Sequence, residues 1–428
     1  MEKLRIAVIG CGRRATGLTQ VIVTMADVQI VALCDPYKDK AEKLADFVEE
    51  KSGRKPYIAT CHKDVIENVT IDAAIVATSW SGHMPVTIDF MRAGVPVGFE
   101  VGGCDSVEEC WQLVHAYQET NVECMMLENC CYARKELMLL NMVRQGFFGE
   151  IAHIDGAYCH DLRNEVARGK EERTYRLANY LNKNCENYPT HELGPIAKML
   201  NLNRGNRMIS LTSTASKSVG MKGFFETYRP NDEEMKKMEW AQGDVITTVI
   251  KCAHGETITL TLDTTLPRFY SRNLNVHGTK AFYHNDTNSV FEDSKFELDD
   301  ESLEWKNYWN NFESYQDKFE HPIWKEYLEA GVIAGHGGMD ALVLRAFFEA
   351  VKAGVKPPID IYDAVSWMAI SPLSEISIAT GSAPVAIPDF TEGKWFTREP
   401  IVEGKYCLDK VCVDTSIPII PSAEVKEI

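Results

Sequence analysis

The first chemistry in the chain lies in Ile6-Ala7-Val8-Ile9-Gly10-Cys11-Gly12-Arg13-Arg14-Ala15. Four apolar residues run into glycines spaced G-x-G-x-x-A. In this pattern Gly10 makes a tight turn, Gly12 lets the backbone approach a pyrophosphate, and Ala15 lets helix and strand pack closely. A helix from about Ala15 to Met25 then turns its N-terminal amides toward that anion. A second apolar strand, Gln29-Ile30-Val31-Ala32-Leu33-Cys34, ends in Asp35, at the separation expected of a carboxylate that binds the adenosine ribose. Pro36 and Tyr37 follow it, with no arginine for a 2′-phosphate, so the cofactor reads as NAD rather than NADP. The alternative is a glycine turn without a ligand, with Asp35 capping the helix near Lys40. After the fourth strand, the loop Ser79-Trp80-Ser81-Gly82-His83-Met84-Pro85 lies where open α/β sheets bind ligands. Trp80 and His83 either touch the cofactor or form an aromatic lid on the next helix.

Positioning these residues requires a doubly wound sheet. A helix at Asp39–Glu50 is closed by Gly53. Strands are expected at Tyr57–Thr60, Ile71–Thr78, Val95–Val101 and Glu123–Asn129, and helices up to Ala93 and from Ser106 to Glu119. Strand and helix alternate throughout, which specifies a parallel sheet. The second half reads differently. Ile151–His160 is strand-like, and Val245–Ile250 and Thr257–Leu262 alternate in polarity across a turn at His254-Gly255. Leu274–Gly278 and Lys280–Tyr283 continue an open antiparallel sheet. Asp340 reads as the N-cap of a helix over Ala341–Ala353, stopped by Gly354 and Pro357. One further helix covers Ile361–Thr380, and a proline-rich tail wraps the surface. The fold class is therefore α/β: an N-terminal Rossmann dinucleotide-binding domain, residues 1–128, and a C-terminal α+β domain with an open, largely antiparallel sheet, residues 129–428.

At 428 residues the chain has room for two cores, and its hydrophobic and charged fractions, 45% and 25%, are those of a globular protein. A net charge of −17 excludes nucleic acid and anionic membranes as expected partners. No apolar run is long enough to span a bilayer, and Met1-Glu2-Lys3-Leu4-Arg5 leads straight into a strand, so a cytoplasmic location is expected. The thirteen cysteines include no C-x-x-C pair and do not alternate with histidines at zinc-ligand spacing, so reduced thiols and no metal are expected.

A Rossmann domain followed by an open antiparallel sheet resembles the glucose–fructose oxidoreductase and inositol dehydrogenase superfamily. Dehydrogenases there usually carry Glu-Lys-Pro after the fifth strand, where this chain has Glu100-Val101-Gly102. Five stretches look like the NAD-dependent glycosidases of glycoside hydrolase family 109: Asn129-Cys130-Cys131-Tyr132, Asn187-Tyr188-Pro189-Thr190-His191, Leu193-Gly194-Pro195, Asn201-Leu202-Asn203-Arg204-Gly205 and Gly335-His336-Gly337-Gly338-Met339-Asp340. The resemblance implies a glycosidase with tightly bound NAD acting on α-N-acetylgalactosaminides or related hexosides. The reaction it implies is transient C3 oxidation, C2 deprotonation, loss of the aglycone, water addition and re-reduction. By matching motif, Tyr132, His191 and Tyr188 are the implied catalytic groups, with Tyr132 near the C2–C3 chemistry and His191 on the C3 hydroxyl. Arg176, Tyr188, Pro189, Thr190, His191 and Tyr270 would bind the sugar. Arg13 and Arg14 would lie near the pyrophosphate, and Glu100, Val101 and Asn129 at the nicotinamide end.

Plainer structural roles stand beside each assignment. Tyr188 precedes a proline and could simply open a helix capped by Thr190, with His191 a core histidine. Arg176 lies among charges that could form a solvated face, Tyr270 could be packing, and His336 could support the site or simply turn the chain. The resemblance further implies a homo-oligomer and a small-molecule glycoside partner. Two rival functions are a sugar oxidoreductase with net turnover of NAD and a non-catalytic sugar or NAD sensor. The absent lysine weighs against the first, and the set of proton-transfer groups against the second.

Overall fold

The computed structural model describes residues 3–295, 304–332 and 335–412. Its first layer system is the expected one: β1 (Leu4–Ile9), α1 (Arg13–Ile22), β2 (Val28–Cys34), α2 (Lys38–Ser52), β3 (Tyr57–Ala59), α3 (His62–Asn68), β4 (Ala73–Val76), α4 (Trp80–Arg92), β5 (Val97–Phe99), α5 (Val107–Thr120) and β6 (Cys124–Met126). The six strands are ordered β3-β2-β1-β4-β5-β6, every pair parallel. β1 and β4 are covered on both faces, which is why their sequences are continuous apolar runs rather than alternating ones. The carboxyl ends of β1 and β4, neighbours at the reversal of strand order, are where such sheets hold ligands.

A 3₁₀ turn, Asn129–Tyr132, leads into α6 (Arg134–Arg144) and the long β7 (Ile151–Cys159). Short helices α7 (Arg163–Ala167), α8 (Gly169–Glu172) and α9 (Arg176–Asn182) precede α10 (Thr190–Met199). Next come β8 (Met208–Ala215), α11 (Gly220–Tyr228), α12 (Glu233–Lys236), β9 (Val245–Cys252), β10 (Thr257–Asp263), β11 (Asn275–Gly278), β12 (Ala281–His284) and β13 (Ser289–Glu292). The chain closes with α13 (Gln316–Phe319), α14 (Pro322–Ala330), α15 (Met339–Ala353), α16 (Ile361–Met368), α17 (Ile370–Ala379) and β14 (Val385–Ala386). The eight strands are ordered β13-β12-β11-β7-β10-β9-β8-β14, antiparallel except for the parallel pair β7–β10. β9 and β10 bury every second residue, and α10 and α17 lie against this sheet, at β7 and β8. The other face carries the polar half of the alternation.

Several boundaries differ from the sequence reading. The segment carrying Trp80 and His83 is not a loop: α4 begins at Trp80, so both lie in its first turn. The expected helix over 361–380 is interrupted at Ala369, because Pro372 has no N–H for the Met368 carbonyl, which accepts from the Cys104 thiol instead. Asp340 does not cap α15; Gly338 holds the cap position and the Asp340 carboxylate turns to Arg14. β8 escaped the alternation test because a register shift between Met208 and Ser210 breaks its period. The tail is more than a surface wrap. Asp409 is buried and pairs with Arg204 at 2.9 Å, inside a buried network in which Arg204 also meets Asp360 and Asp363. The Asn201–Gly205 stretch is thus structural. Residues beyond Cys412 lie outside the described ones. Among the described residues no helix is long and apolar enough to cross a membrane.

Candidate active site

Gly10 has φ +92°, and a Cβ there would lie 2.4 Å from the Ala77 carbonyl oxygen, so the turn after β1 admits only glycine. A Cβ on Gly12 would meet nothing within 4 Å, and α1 starts with no side chain capping its amides. That open, donor-lined end is what a pyrophosphate requires. Asp35 is buried, its Oδ2 accepting from the Cys11 amide (2.7 Å) and its Oδ1 from the Tyr37 amide (2.8 Å). The carboxylate therefore braces the glycine turn, and each oxygen keeps a lone pair for a ribose hydroxyl. These residues fit a dinucleotide.

The two arginines behave differently. Arg13 points to solvent, with Glu165 3.9 Å away. Arg14 is drawn from the anion site: its guanidinium bonds Glu100 (2.8 Å) and both oxygens of Asp340 (2.8 and 2.9 Å). Asn129 donates to the same Asp340 (2.8 Å), and His336 lies 2.7 Å from it. His336 thus supports the site rather than merely turning the chain. Burial pushes the Asp340 carboxyl up, but His336 and Arg14 outweigh it and hold it well below the usual carboxylate range. Burial raises Glu100 despite Arg14. The knot ties α1 and the end of β5 to α15.

Trp80 is buried, its ring 5.0 Å from that of Tyr175 and 5.7 Å from that of Tyr188. A Cβ on Gly102 would lie 2.1 Å from the Trp80 ring, so the glycine following Glu100-Val101 is what lets the indole in. His83 is also buried, with Nε2 3.1 Å from the Thr78 carbonyl oxygen; burial pulls it down to about 4, so it stays neutral. It is enclosed in the first turn of α4 rather than facing an open cleft.

On the second sheet, an aromatic group assembles around His191. The Tyr188 ring is 4.8 Å from the His191 ring and 4.4 Å from that of Tyr158, and Tyr158 is 5.5 Å from His191. Tyr270, half exposed at the rim, stands edge-on to His160 at 5.3 Å and to Tyr158 at 6.4 Å. His191 Nδ1 is 2.7 Å from Oε1 of the fully buried Glu128. Burial pushes Glu128 up, but the facing imidazole and the Cys130 amide outweigh it, leaving it below its ordinary value. An anion at Nδ1 fixes the ring with its proton there, so Nε2 is the free, basic nitrogen. Arg176 is largely covered, its side chain 12% exposed, and does not lie on a solvated face. Its Nε pairs with Glu165 (2.6 Å), its guanidinium lies 5.3 Å from the Trp80 and Tyr188 rings, and Nη1 has no partner among the described residues. A buried donor left over in this way is set to take a ligand oxygen. Pro189 holds the cap position of α10, and Thr190, in its first turn, is buried with its side chain hydrogen-bonded to Glu128.

Tyr132 does not join this group. It is fully buried in the 3₁₀ turn, and its hydroxyl donates to the Tyr406 carbonyl (2.9 Å). Tyr158, not Tyr132, is the tyrosine that lies beside both Tyr188 and His191. β7 turns Tyr158 inward, and its hydroxyl lies 3.1 Å from His160 Nδ1. Burial pulls His160 below the ordinary histidine range, so a neutral ring faces the hydroxyl, and the tautomer with its proton on Nε2 leaves Nδ1 as an acceptor. Glu128, Tyr158 and Tyr175 were missed in the sequence. The one available signal was an aromatic two residues before a histidine at the carboxyl end of a strand. Behind the group, Glu186 and Glu192 are buried with no side-chain partner for either carboxyl among the described residues, and burial pushes Glu186 up to about 8 against a backbone hydrogen bond from Tyr188.

Comparison with known proteins identifies the family of the chain. Residues 132–397 match the family described as glycosyl hydrolase 109, C-terminal domain, and residues 4–128 match the oxidoreductase family, NAD-binding Rossmann fold. A glycosyl hydrolase family 109 protein of Stenotrophomonas maltophilia is 38% identical over 95% of this chain and 93% of its own. An alpha-N-acetylgalactosaminidase of Tannerella forsythia is 36% identical over 93% of this chain and 88% of its own. Among solved structures, the myo-inositol dehydrogenase of Lactobacillus casei in complex with NAD(H) and myo-inositol has the same fold. Its TM-score is 0.63 at 11% identity, covering 92% of this chain and 99% of that one. The chain belongs to glycosyl hydrolase family 109. It is a glycoside hydrolase with a nicotinamide dinucleotide-binding domain.

Proposed function

We propose that this glycosidase removes terminal α-N-acetylgalactosamine, or a closely related hexose, by elimination and re-addition, retaining NAD throughout. The observation that carries the proposal is the Glu128–His191 pair, set among Tyr158, Tyr188 and the unpaired donor of Arg176. When bound, NAD supplies a reversible hydride acceptor for C3 of the sugar, so one site both oxidises and restores that carbon. The residues present would manage the protons. Nε2 of His191 takes the proton of the C3 hydroxyl, and Glu128 stabilises the imidazolium that results. A ketone at C3 acidifies the C2 proton, and Tyr158 is placed to accept it as its own proton passes to His160 Nδ1, 3.1 Å away. Loss of the aglycone from C1 and addition of water complete the cycle, with the same groups returning their protons. Arg176 binds a sugar oxygen through Nη1, and Trp80 and Tyr188 exclude water.

Because no opposed carboxylate pair is needed, anomeric configuration does not enter the elimination step. Val101 in place of a lysine fits a site that returns its electrons instead of releasing a ketone. The proposal includes a homo-oligomer, checked by sedimentation velocity; a species of single-chain mass would remove that part. The activity test uses chromogenic α- and β-linked hexosides and N-acetylhexosaminides. Hydrolysis that is lost on stripping the dinucleotide and restored by NAD, with no build-up of NADH, supports the reading. Stoichiometric NADH with an oxidised sugar contradicts it.

A further inference from the structure

β7 has chemistry on both faces. Tyr158 points inward to the site, while His153 and Asp155 lie on the opposite face, in alternation. His153 is registered against His277 of β11 on one side and Thr257 of β10 on the other. His153 Nε2 lies 2.9 Å from Oδ1 of Asp155, and His277 Nε2 lies 3.1 Å from Oδ2. Two imidazole nitrogens thus converge on one carboxylate from neighbouring strands, with donor atoms all within 4.8 Å of one another.

We propose that His153, Asp155 and His277 form a divalent-metal site, suited to zinc, on the outer face of the second sheet. The donor set is two nitrogens and one oxygen, which zinc takes readily at 2.0–2.2 Å with a fourth position left to water. The orientation of the donors is fixed in advance. His153 Nδ1 lies 2.7 Å from the Thr257 hydroxyl, the outer hydrogen bond that metal-binding histidines characteristically make. Asn275 donates to Asp155 Oδ2 at 3.3 Å, and the Phe282 ring stands 4.6 Å from that of His277. All three ligands sit on paired strands, so closing around an ion requires side-chain rotation alone. Their side chains are 26–42% exposed, which leaves an entry path and room for the fourth ligand. His153 and Asp155 are two residues apart, but His277 lies 122 residues beyond Asp155, so no local histidine–cysteine spacing announces the set. Bound metal would cross-link β7 to β11 behind Tyr158 without touching the sugar.

The test is equilibrium dialysis of the NAD-loaded, chelator-stripped full chain against zinc chloride, with bound zinc counted by mass spectrometry. Wild-type protein is expected to hold one equivalent more than His277→Gln and His153→Gln, with at least tenfold weaker binding in Asp155→Asn, which keeps the side chain's shape. Cobalt substitution separates this site from the thiols: visible d–d bands without a thiolate-to-cobalt charge-transfer band identify nitrogen and oxygen ligands. Glycosidase activity of the three variants, none of which alters the catalytic group, verifies folding. Equal zinc uptake by wild type and variants, or no zinc retained by the wild type, overturns the proposal.

Discussion

Around Gly10 the site is made of backbone; around His191 it is made of side chains. The dinucleotide end needs a left-handed glycine, bare helix amides and one carboxylate, all within the first 35 residues. The sugar end needs β7 for Tyr158, the 3₁₀ turn's neighbour Glu128, α9 for Arg176, α10 for His191 and the loop before β11 for Tyr270. Its geometry is set by sheet register and helix packing rather than by a turn. The difference shows which damage each end should tolerate. A substitution at the first is a question of space and φ, and one at the second of proton inventory.

The sharpest contrast is between His191→Gln and Gly10→Ala. His191→Gln should lower kcat by roughly 10²–10⁴-fold, the usual range for losing a positioned general base, with NAD affinity nearly unchanged. Gly10→Ala should instead abolish NAD binding through the clash with Ala77, as read by dinucleotide titration. If both variants lose cofactor and turnover together, the two ends are not separable.

Two tyrosines sharpen the comparison within the second half. Tyr158→Phe should lower kcat by about 10²-fold, at the low end of the general acid–base range. Tyr132→Phe should change kcat less than twofold or so and instead cost about 1–2 kcal/mol in denaturant unfolding, because it leaves the Tyr406 carbonyl unpaired. The reverse ranking would return Tyr132 to the reaction.

The last contrast is in pH dependence. Glu186 is raised by burial to about 8 when folded, from the usual carboxylate range when unfolded. Between these values the folded chain holds a proton that the unfolded chain has released. Stability from this group is therefore complete below about pH 4.5 and declines as pH rises toward 8, by at most about 1.4 kcal/mol per pH unit. Glu186→Gln should flatten that slope in urea titrations at several pH values; an unchanged slope assigns it elsewhere.

The same division decides what could be read from sequence. Gly10, Gly12 and Asp35 are contiguous enough for spacing to carry geometry, and the alternation of β9 and β10 reports which face is covered. Tyr188 and His191 could be named together because they lie three positions apart in one short motif at the entry to α10. Tyr158 and Glu128 did not, since only the pairing of β7 with β10 and the close approach of α10 bring them to His191. The motif of Tyr132 lies next to Asn129, which does join the Asp340 knot, while the 3₁₀ turn carries the tyrosine away into the core. Arg14 was placed near the pyrophosphate by its position after the glycines. The acid that claims it, Asp340, lies 326 residues along the chain.

The most direct measurement is proton NMR of turnover in D₂O, with NAD and a cleaved α-N-acetylgalactosaminide or hexoside. The account predicts that the released sugar carries deuterium at C2, introduced when the abstracted proton is replaced from solvent. Released sugar that keeps its original C2 proton through complete turnover, while Tyr158→Phe remains active, would contradict elimination through a C3 ketone.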